Sequence, residues 1–492
     1  MKKIIDKYKK WNPSVYATIL LIMTPLLLYL FIDFKLDNDF WFLINIGKTI
    51  IKDGFINVET FTIHSGLSFI PQQWLTDIIF IFIYSNYSIR GMYYLVIICN
   101  LLIIFLSYKL CYLVSNNRKK SIIITIFTDV FLITTRIIST RPQLFDTIIF
   151  LLELFLIESY VLKNNKKYLY FIPLLSLFLI NAHASMWLML FVFMIPYFCE
   201  YIISKYKKKD TFKIKPLLII FIISLLFGFI NPYGIEAIKY LFNSFGMEKI
   251  NLLVNEMKPI DISKMFGLMI YVIIFIMLYS FYRNKGNNKI RYFLFSIGII
   301  YLSLNHYKAI IYLAILFPII FGYNLKKDSK ESKVGVFLYE KIVYIVLIIG
   351  SLFLIITNAK LKDDVDIIEF ADYLDNNATK DIKLFTDYNN GGYMEYRGYK
   401  CYIDPRAEVF LKSNNHKEDI FNEFFDLESC NLDIKTFLDK YNFDYLLVDD
   451  NLKCLLKELQ DNKKYKEVFS KITNVSKNDK TYLFENVEIN SK

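Results

Sequence analysis

Residues 15–32 read VYATILLIMTPLLLYLFI, and residues 33–55 continue directly as DFKLDNDFWFLINIGKTIIKDGF. The first stretch is about as long as a bilayer-crossing helix requires, ~20 apolar residues at 1.5 Å each. It follows a basic start, MKKIIDKYKKW, and no small-residue cleavage site separates it from the acids that come next. It therefore reads as a retained signal-anchor helix with the N-terminus on the cytoplasmic side. The acids that follow it open an external loop.

Working outward, apolar runs fill most of residues 12–360, while 361–492 has the make-up of a water-soluble domain. Spans are expected near 14–32, 91–114, 121–137, 141–162, 168–182, 185–204, 215–231, 264–283, 291–304, 306–324 and 340–359. This predicts a mainly α, polytopic membrane helix bundle of about 11 transmembrane helices over 1–360, with its first external loop at 33–90. A small α/β extracytoplasmic domain is expected over 361–492. Residues 74–86, WLTDIIFIFIYSN, are too short for a crossing, and counting them would place every later basic loop outside. They read as a half-buried helix on the outer face.

The chain of 492 residues is 55% apolar and 21% charged and carries a formal charge of +11. Most of that excess sits in the loops at 1–10, 118–120, 163–167, 205–215, 283–291 and 326–333, so it marks the cytoplasmic face. No basic stripe interleaved with aromatics occurs, so a nucleic-acid partner is not expected. Three of the six cysteines lie in apolar runs; Cys401, Cys430 and Cys454 lie in the tail, where a disulfide is one option.

In the tail, DIIEFADYLDNN has a helical pattern, KLFTDY and YKCYIDP read as strands, and NNGG between them is a turn. IKTFLDKYNFDYLLVDD is a helix running into a strand, and KTYLFENV is the last strand. Asp404 and Arg406 have the spacing of a structural ion pair.

This topology places Asp33, Asp37, Asp39, His64, Gln72, Gln73, Arg136, Arg141, Asn181, His183, the run Asn231-Pro232-Tyr233-Gly234, and Asn305-His306-Tyr307-Lys308 on the outer side. Asp129 and Glu153 fall near the middle of spans and read as hydrogen-bonding groups of the bundle interior. Asp37 and Asp39 could hold a divalent ion, or one could act as a base oriented by the other; equally, solvated acids end a helix.

The stretches DNDFWFLINIGKTI, ETFTIHSG, QQWLTD, TRPQLF, NAHASMW, NPYG and FTDYNNGGYMEYRGYKCYIDPRAEVF, in this order over residues 37–410, resemble bacterial members of the glycosyltransferase C (GT-C) superfamily, in the branch with an external C-terminal domain. The resemblance implies a polytopic glycosyltransferase, of hexosyltransferase type, that uses a polyprenyl-phosphate-linked sugar. It places the essential acid at Asp39, with Asp37 second. Many relatives carry Glu before the W-L pair where this chain has Gln73; Asp77 is the nearest acid that could replace it. Arg141 would hold a phosphate bidentately, and His183, His306 and Lys308 are further substrate contacts. Hairpin capping for His183 and headgroup contact for His306 and Lys308 are the plainer alternatives.

The expected reaction is inverting transfer, with Asp39 as base, from the lipid-linked donor to a glycan, lipid or protein acceptor of the envelope, at the outer face of the cell membrane. A divalent cation, Mg or Mn, would bind Asp37 and Asp39 if any metal is used. Two rival readings remain at this stage: a non-catalytic GT-C-like envelope protein, which Gln73 favours, and a transporter of lipid-linked saccharides, against which the absence of internal repeats counts.

Overall fold

The computed structural model describes residues 34–135, 139–243, 255–284, 286–324, 361–362, 365–474 and 479–490. The expected spans at 14–32 and 340–359, Asp33, Arg136 and the basic loop at 326–333 lie outside the described residues. Contacts divide the chain into two compact units. One takes in residues 90–230 and 255–324; the other takes in 35–89, 231–243 and 365–490.

In the first unit every expected span that falls on described residues lies on a helix. Among the described residues, four helical stretches are long and apolar enough to cross a membrane: Trp74–Ser115, Ala184–Tyr206, Met265–Arg283 and Tyr307–Asn324. Ile214–Phe227 and Ile290–Asn305 are shorter apolar helices. The helix Ile310–Asn324 is buried on all sides, packed by Arg118–Thr134 and Ile290–Asn305. The 42-residue stretch Trp74–Ser115 would be roughly 63 Å long if straight, about twice the apolar thickness of a bilayer. It is not straight: Ser88, at φ 54° and ψ −155°, breaks it. The half-buried helix expected at 74–86 is thus the limb before this break, and the limb after it supplies the apolar span.

Polar atoms inside this unit are mostly paired, as low-dielectric surroundings demand. Trp187 donates from Nε1 to Ser176 Oγ at 2.7 Å, and Ser176 donates on to the Ser224 carbonyl at 2.7 Å. Asn100 donates to Asp129 at 3.0 Å, as expected of an interior acid. Glu153 departs from that expectation: it is fully buried and neither oxygen has a hydrogen bond.

The second unit is built on a five-stranded sheet in the order Lys400–Cys401, Lys383–Phe385, Tyr445–Asp449, Asp479–Asn486, Tyr465–Asn474. The first three strands are parallel and the last two pair antiparallel. The strand Tyr465–Asn474 was not apparent from sequence; its partner Asp479–Asn486 was. Cys430 and Cys454 form a disulfide across 24 positions, and Cys401 is free and buried.

The loop after the first expected span belongs to this unit. Its helix Asn38–Asp53 lies along Gly391–Tyr396, with Trp41 edge-on to Tyr393 at 4.9 Å and beside Tyr396 at 5.0 Å. NNGG is a turn that runs straight into this short helix, and its first glycine has a steric reason. A Cβ on Gly391 would stand 2.0 Å from the Ile403 carbonyl oxygen. Residues 62–63 extend the sheet beyond its outer strand, through a parallel bridge from Thr62 to Cys401 and a bond of 2.9 Å from Ile63 N–H to the Cys401 carbonyl. An edge that would otherwise offer unpaired backbone groups is thereby covered.

Candidate functional site

Each unit carries a cluster of the residues singled out by sequence. In the second unit, Asp37 is the N-cap of Asn38–Asp53, its carboxylate accepting from the Asp39 N–H at 3.1 Å. That bond satisfies one of the helix's orphan donors and places Asp39 in the first turn, where the helix dipole favours a negative charge. Asp39 is half-buried and close enough to Tyr388 that its charge, after burial itself, pushes the Tyr388 hydroxyl well above its ordinary range. Tyr388 donates to the Pro405 carbonyl at 2.6 Å.

Gln73 stands at the start of the helix Trp74–Ser115, its carbonyl accepting from Asp77 N–H at 3.0 Å. Asp77 is fully buried and neither carboxylate oxygen has a hydrogen bond. Its backbone crosses Gly47 so closely that a Cβ there would stand 2.3 Å from the Asp77 carbonyl oxygen. Among the described residues, no three His, Cys, Asp or Glu side chains are grouped to hold a metal ion. Asp37 and Asp39 are the two carboxylates that would hold a divalent ion, and no step is routed through a metal.

The interior of this unit holds Arg406. Its Nε donates to both Asp404 oxygens, at 2.9 and 3.0 Å, and its Nη2 to Glu59 at 3.0 Å. Glu395 stands 3.7 Å away, and the rings of Phe61 and Phe69 lie over the guanidinium at 5.1 and 5.0 Å. Glu59 also caps its own turn, accepting from Phe61 N–H, Thr62 N–H and Thr62 Oγ1. The Asp404–Arg406 pair expected from spacing is therefore real, and Glu59, which the sequence reading passed over, ties it to ETFTIH. His64 of the same stretch donates from Nε2 to the Tyr402 carbonyl at 2.8 Å. Burial lowers its pKa against the pull of that carbonyl and of Glu59, Glu418 and Glu423. NPYG joins in: Tyr233 donates to the Ile56 carbonyl at 2.9 Å.

The first unit brings together Arg141, His183 and His306 near one end of the helix Gln143–Lys163. Arg141 forms an ion pair with Glu256. The next residue, Met257, offers its carbonyl to His306 Nδ1 at 3.0 Å, and Tyr307 N–H donates to the Lys258 carbonyl at 3.0 Å. Lys308 is half-buried in the turn Tyr307–Ala309. His183 Nδ1 donates to Asp146 Oδ2 at 2.6 Å, with both residues buried. His183 also caps the hairpin through its backbone, its N–H donating to the Leu179 carbonyl at 2.8 Å, and Asn181 beside it donates to the Leu177 and Ile230 carbonyls at 2.8 and 3.0 Å. Asp146 and Glu256 escaped the sequence reading. Asp146 had a signal, since it is an acid inside an apolar span like Asp129 and Glu153; Glu256 lay in an unremarkable loop.

The fold has solved counterparts. Three structures of an oligosaccharyltransferase from Archaeoglobus fulgidus align with it, each at 10% identity. The apo form has a TM-score of 0.54 over 90% of this chain and 70% of that one. A form tethered to an acceptor peptide containing the NVT sequon gives 0.56 over 87% and 68%. The enzyme, AglB, in complex with an inhibitory peptide and a dolichol-phosphate gives 0.51 over 92% and 72%. No protein-family model and no curated protein matches the chain by sequence. The likeness is one of fold.

Proposed function

We propose that this protein is a membrane glycosyltransferase that moves a sugar from a polyprenyl-phosphate-linked donor to an acceptor of the cell envelope, at the outer face of the membrane. The observation that carries the reading is the GT-C fold, matched over 90% of the chain. Asp39, in the first turn of a helix that Asp37 caps, takes the proton of an acceptor hydroxyl as that hydroxyl attacks the anomeric carbon, with inversion. The bond from that carbon to the phosphate oxygen breaks as the new one forms. In the other unit, Arg141 with Lys308 and His306 is the candidate for holding a phosphate. Arg141 now pairs with Glu256, and a phosphate competes with that carboxylate for the same guanidinium donors.

Eleven spans, with the N-terminus cytoplasmic and the tail outside, remain the proposed topology. The Cys430–Cys454 bond supports an outer position for the tail, because disulfides persist in oxidising compartments. Glycan, lipid and protein acceptors all fit this placement.

A non-catalytic role in envelope assembly is the second reading, favoured by Gln73 in the position where relatives carry an acid and by the missing metal cluster among the described residues. Transfer from polyprenyl-phosphate-linked hexoses in proteoliposomes separates the two. Glycosyl transfer by wild type that drops at least a hundredfold in Asp39→Asn supports the enzyme. Equal transfer by both proteins removes Asp39 from the mechanism, and lipid crossing without transfer points to a transporter.

A further inference from the structure

We propose that Asp146 is a positioning residue that turns His183 so that its Nε2 accepts a hydrogen bond from a hydroxyl of the transferred sugar. This rests on the glycosyltransferase reading and adds to it a residue that selects the sugar.

Asp146 sits in the first turn of Gln143–Lys163, and His183 ends the helix Ile172–Ala182. Their side chains are 3% and 8% exposed, and the 2.6 Å contact joins Nδ1 to Oδ2. With Asp146 ionised, its carboxylate accepts and the proton of that bond is on Nδ1. In the neutral ring this leaves Nε2 with a lone pair and no proton. Among the described residues Nε2 makes no hydrogen bond. The nearby donors are already used: the Tyr312 hydroxyl goes to Met186 Sδ at 2.8 Å, and Trp187 Nε1 goes to Ser176.

A neutral Nε2 of this kind discriminates between ligand groups. Phosphate oxygens have only lone pairs and suit Arg141 and Lys308; they gain nothing from a second lone pair. A hydroxyl brings the proton that Nε2 lacks. Of the two halves of the donor, the phosphate therefore belongs to the cations and the sugar to His183. Without Asp146 the ring is free to adopt the other tautomer, in which Nε2 donates and the reading of a hydroxyl is lost.

The test uses full-length protein in nanodiscs and two readouts. The chain has four histidines, so 15N-histidine NMR can follow the His183 ring, identified by its loss in His183→Gln. The expected wild-type signal is the Nδ1–H tautomer, shifted in Asp146→Asn and kept in Asp146→Glu. The second readout is equilibrium binding of polyprenyl-phosphate-linked glucose, its monodeoxy analogues, and sugar-free polyprenyl phosphate. One deoxy position should weaken wild-type binding about tenfold or more. That preference should vanish in His183→Gln and Asp146→Asn, while sugar-free polyprenyl phosphate binds all three proteins alike. An unchanged tautomer in Asp146→Asn, no preference among the deoxy analogues, or equal loss of sugar-free lipid overturns the proposal. Binding that follows these rules in a protein that never transfers sugar would sink the glycosyltransferase reading and leave the His183 assignment standing.

Discussion

Among the described residues two arginines are fully buried, one in each unit, and they are satisfied in different ways. Arg291, in the membrane-type unit, faces two carboxylates. It grips Glu158 with two bonds, Nε to Oε1 at 2.8 Å and Nη2 to Oε2 at 2.9 Å, and it meets Glu200 through Nη1 and through its backbone N–H. Tyr197 and Tyr292 each donate a hydroxyl to Glu158, at 2.9 and 3.0 Å. No donor nitrogen of the guanidinium and no carboxylate oxygen is left over. Arg406, in the tail unit, faces three carboxylates, yet its Nη1 and both Glu395 oxygens make no hydrogen bond. Around Arg291 the charges balance through hydrogen bonds, whereas around Arg406 there is one acid more than the guanidinium binds. Burial, followed by Asp404, holds the Glu395 carboxyl well above its ordinary range.

Breaking each cluster at its arginine is the sharpest way to test this contrast. Arg291→Met strips two buried carboxylates of their shared cation and should cost about 3–5 kcal/mol, read as a lowered urea midpoint in detergent. Arg406→Met should cost less, about 2–3 kcal/mol, because Glu59 keeps its three local donors and burial already holds the Glu395 carboxyl well above its ordinary range. Equal losses at the two sites would remove the distinction.

The units also differ in their cysteines. Cys99, Cys111 and Cys199 are free in the first, whereas Cys430 and Cys454 are joined in the second. Closing a loop of this length contributes about 3 kcal/mol. Reduction should therefore open the tail unit and leave the helical unit's midpoint where it was. In a protein with Cys99, Cys111 and Cys199 replaced, maleimide labelling of buried Cys401 measures that opening; labelling that reductant does not speed up would deny the disulfide a stabilising part.

These differences were unequally visible in sequence. The helical unit could be read span by span, since apolar runs and basic loops are set by local chemistry. The tail's helices and parallel strands were legible from their periodicity, although Tyr465–Asn474 was not. What could not be read was pairing over distance. Arg406 meets Glu59 across 347 positions, and Arg291 meets Glu158 across 133. No local pattern in ETFTIH or in the segment around Arg291 announces those partners. The same limit hid Asp146 behind His183. DNDFWF, ETFTIH and DPRAEVF were recognised as parts of an ordered set, but their shared work in packing the loop onto the tail emerges only when they are seen touching.

The tail unit's tolerance for extra acids predicts a pH response. Burial and the Asp449 carboxylate push Asp387 up to about 7, against hydrogen bonds from Asn389 and Asn390. In the unfolded chain an aspartate titrates near ~3.9. The folded state therefore holds the proton more tightly, so this contribution is complete below about pH 4 and is lost as pH rises through about 7. The slope is at most about 1.4 kcal/mol per pH unit. His64 acts in reverse: its pKa is lowered by burial, so its contribution is complete above ~6.5 and falls away as the pH drops below that. As far as Asp387 is concerned, Cys401 labelling should speed up as pH rises from about 4 to about 7. Asp387→Asn should flatten that rise, and a pH profile that the substitution leaves unaltered would refute the assignment.

The smallest effect separates the two clusters most cleanly, because its sign differs between them. Glu158→Gln keeps the shape of its side chain but removes a charge that Arg291, Tyr197 and Tyr292 all donate to, and the amide nitrogen now faces a donor. It should destabilise by about 2 kcal/mol. Glu395→Gln replaces an acid that already holds its proton beside Asp404, so little electrostatic energy is at stake. The amide's two hydrogens can reach the neighbouring carboxylates without asking either to share a proton, and the surplus of acid over Arg406 no longer grows as pH rises. The expected result is a change within about 1 kcal/mol that turns toward a gain as pH rises, because a carboxyl held above its ordinary range loses its stabilising proton with rising pH. Urea midpoints of the two variants across a pH series decide the matter. A loss in Glu395→Gln as large as that in Glu158→Gln would mean that Glu395 is an ionised partner of Arg406, and that the tail's cluster is closed in the same way as the one in the helices.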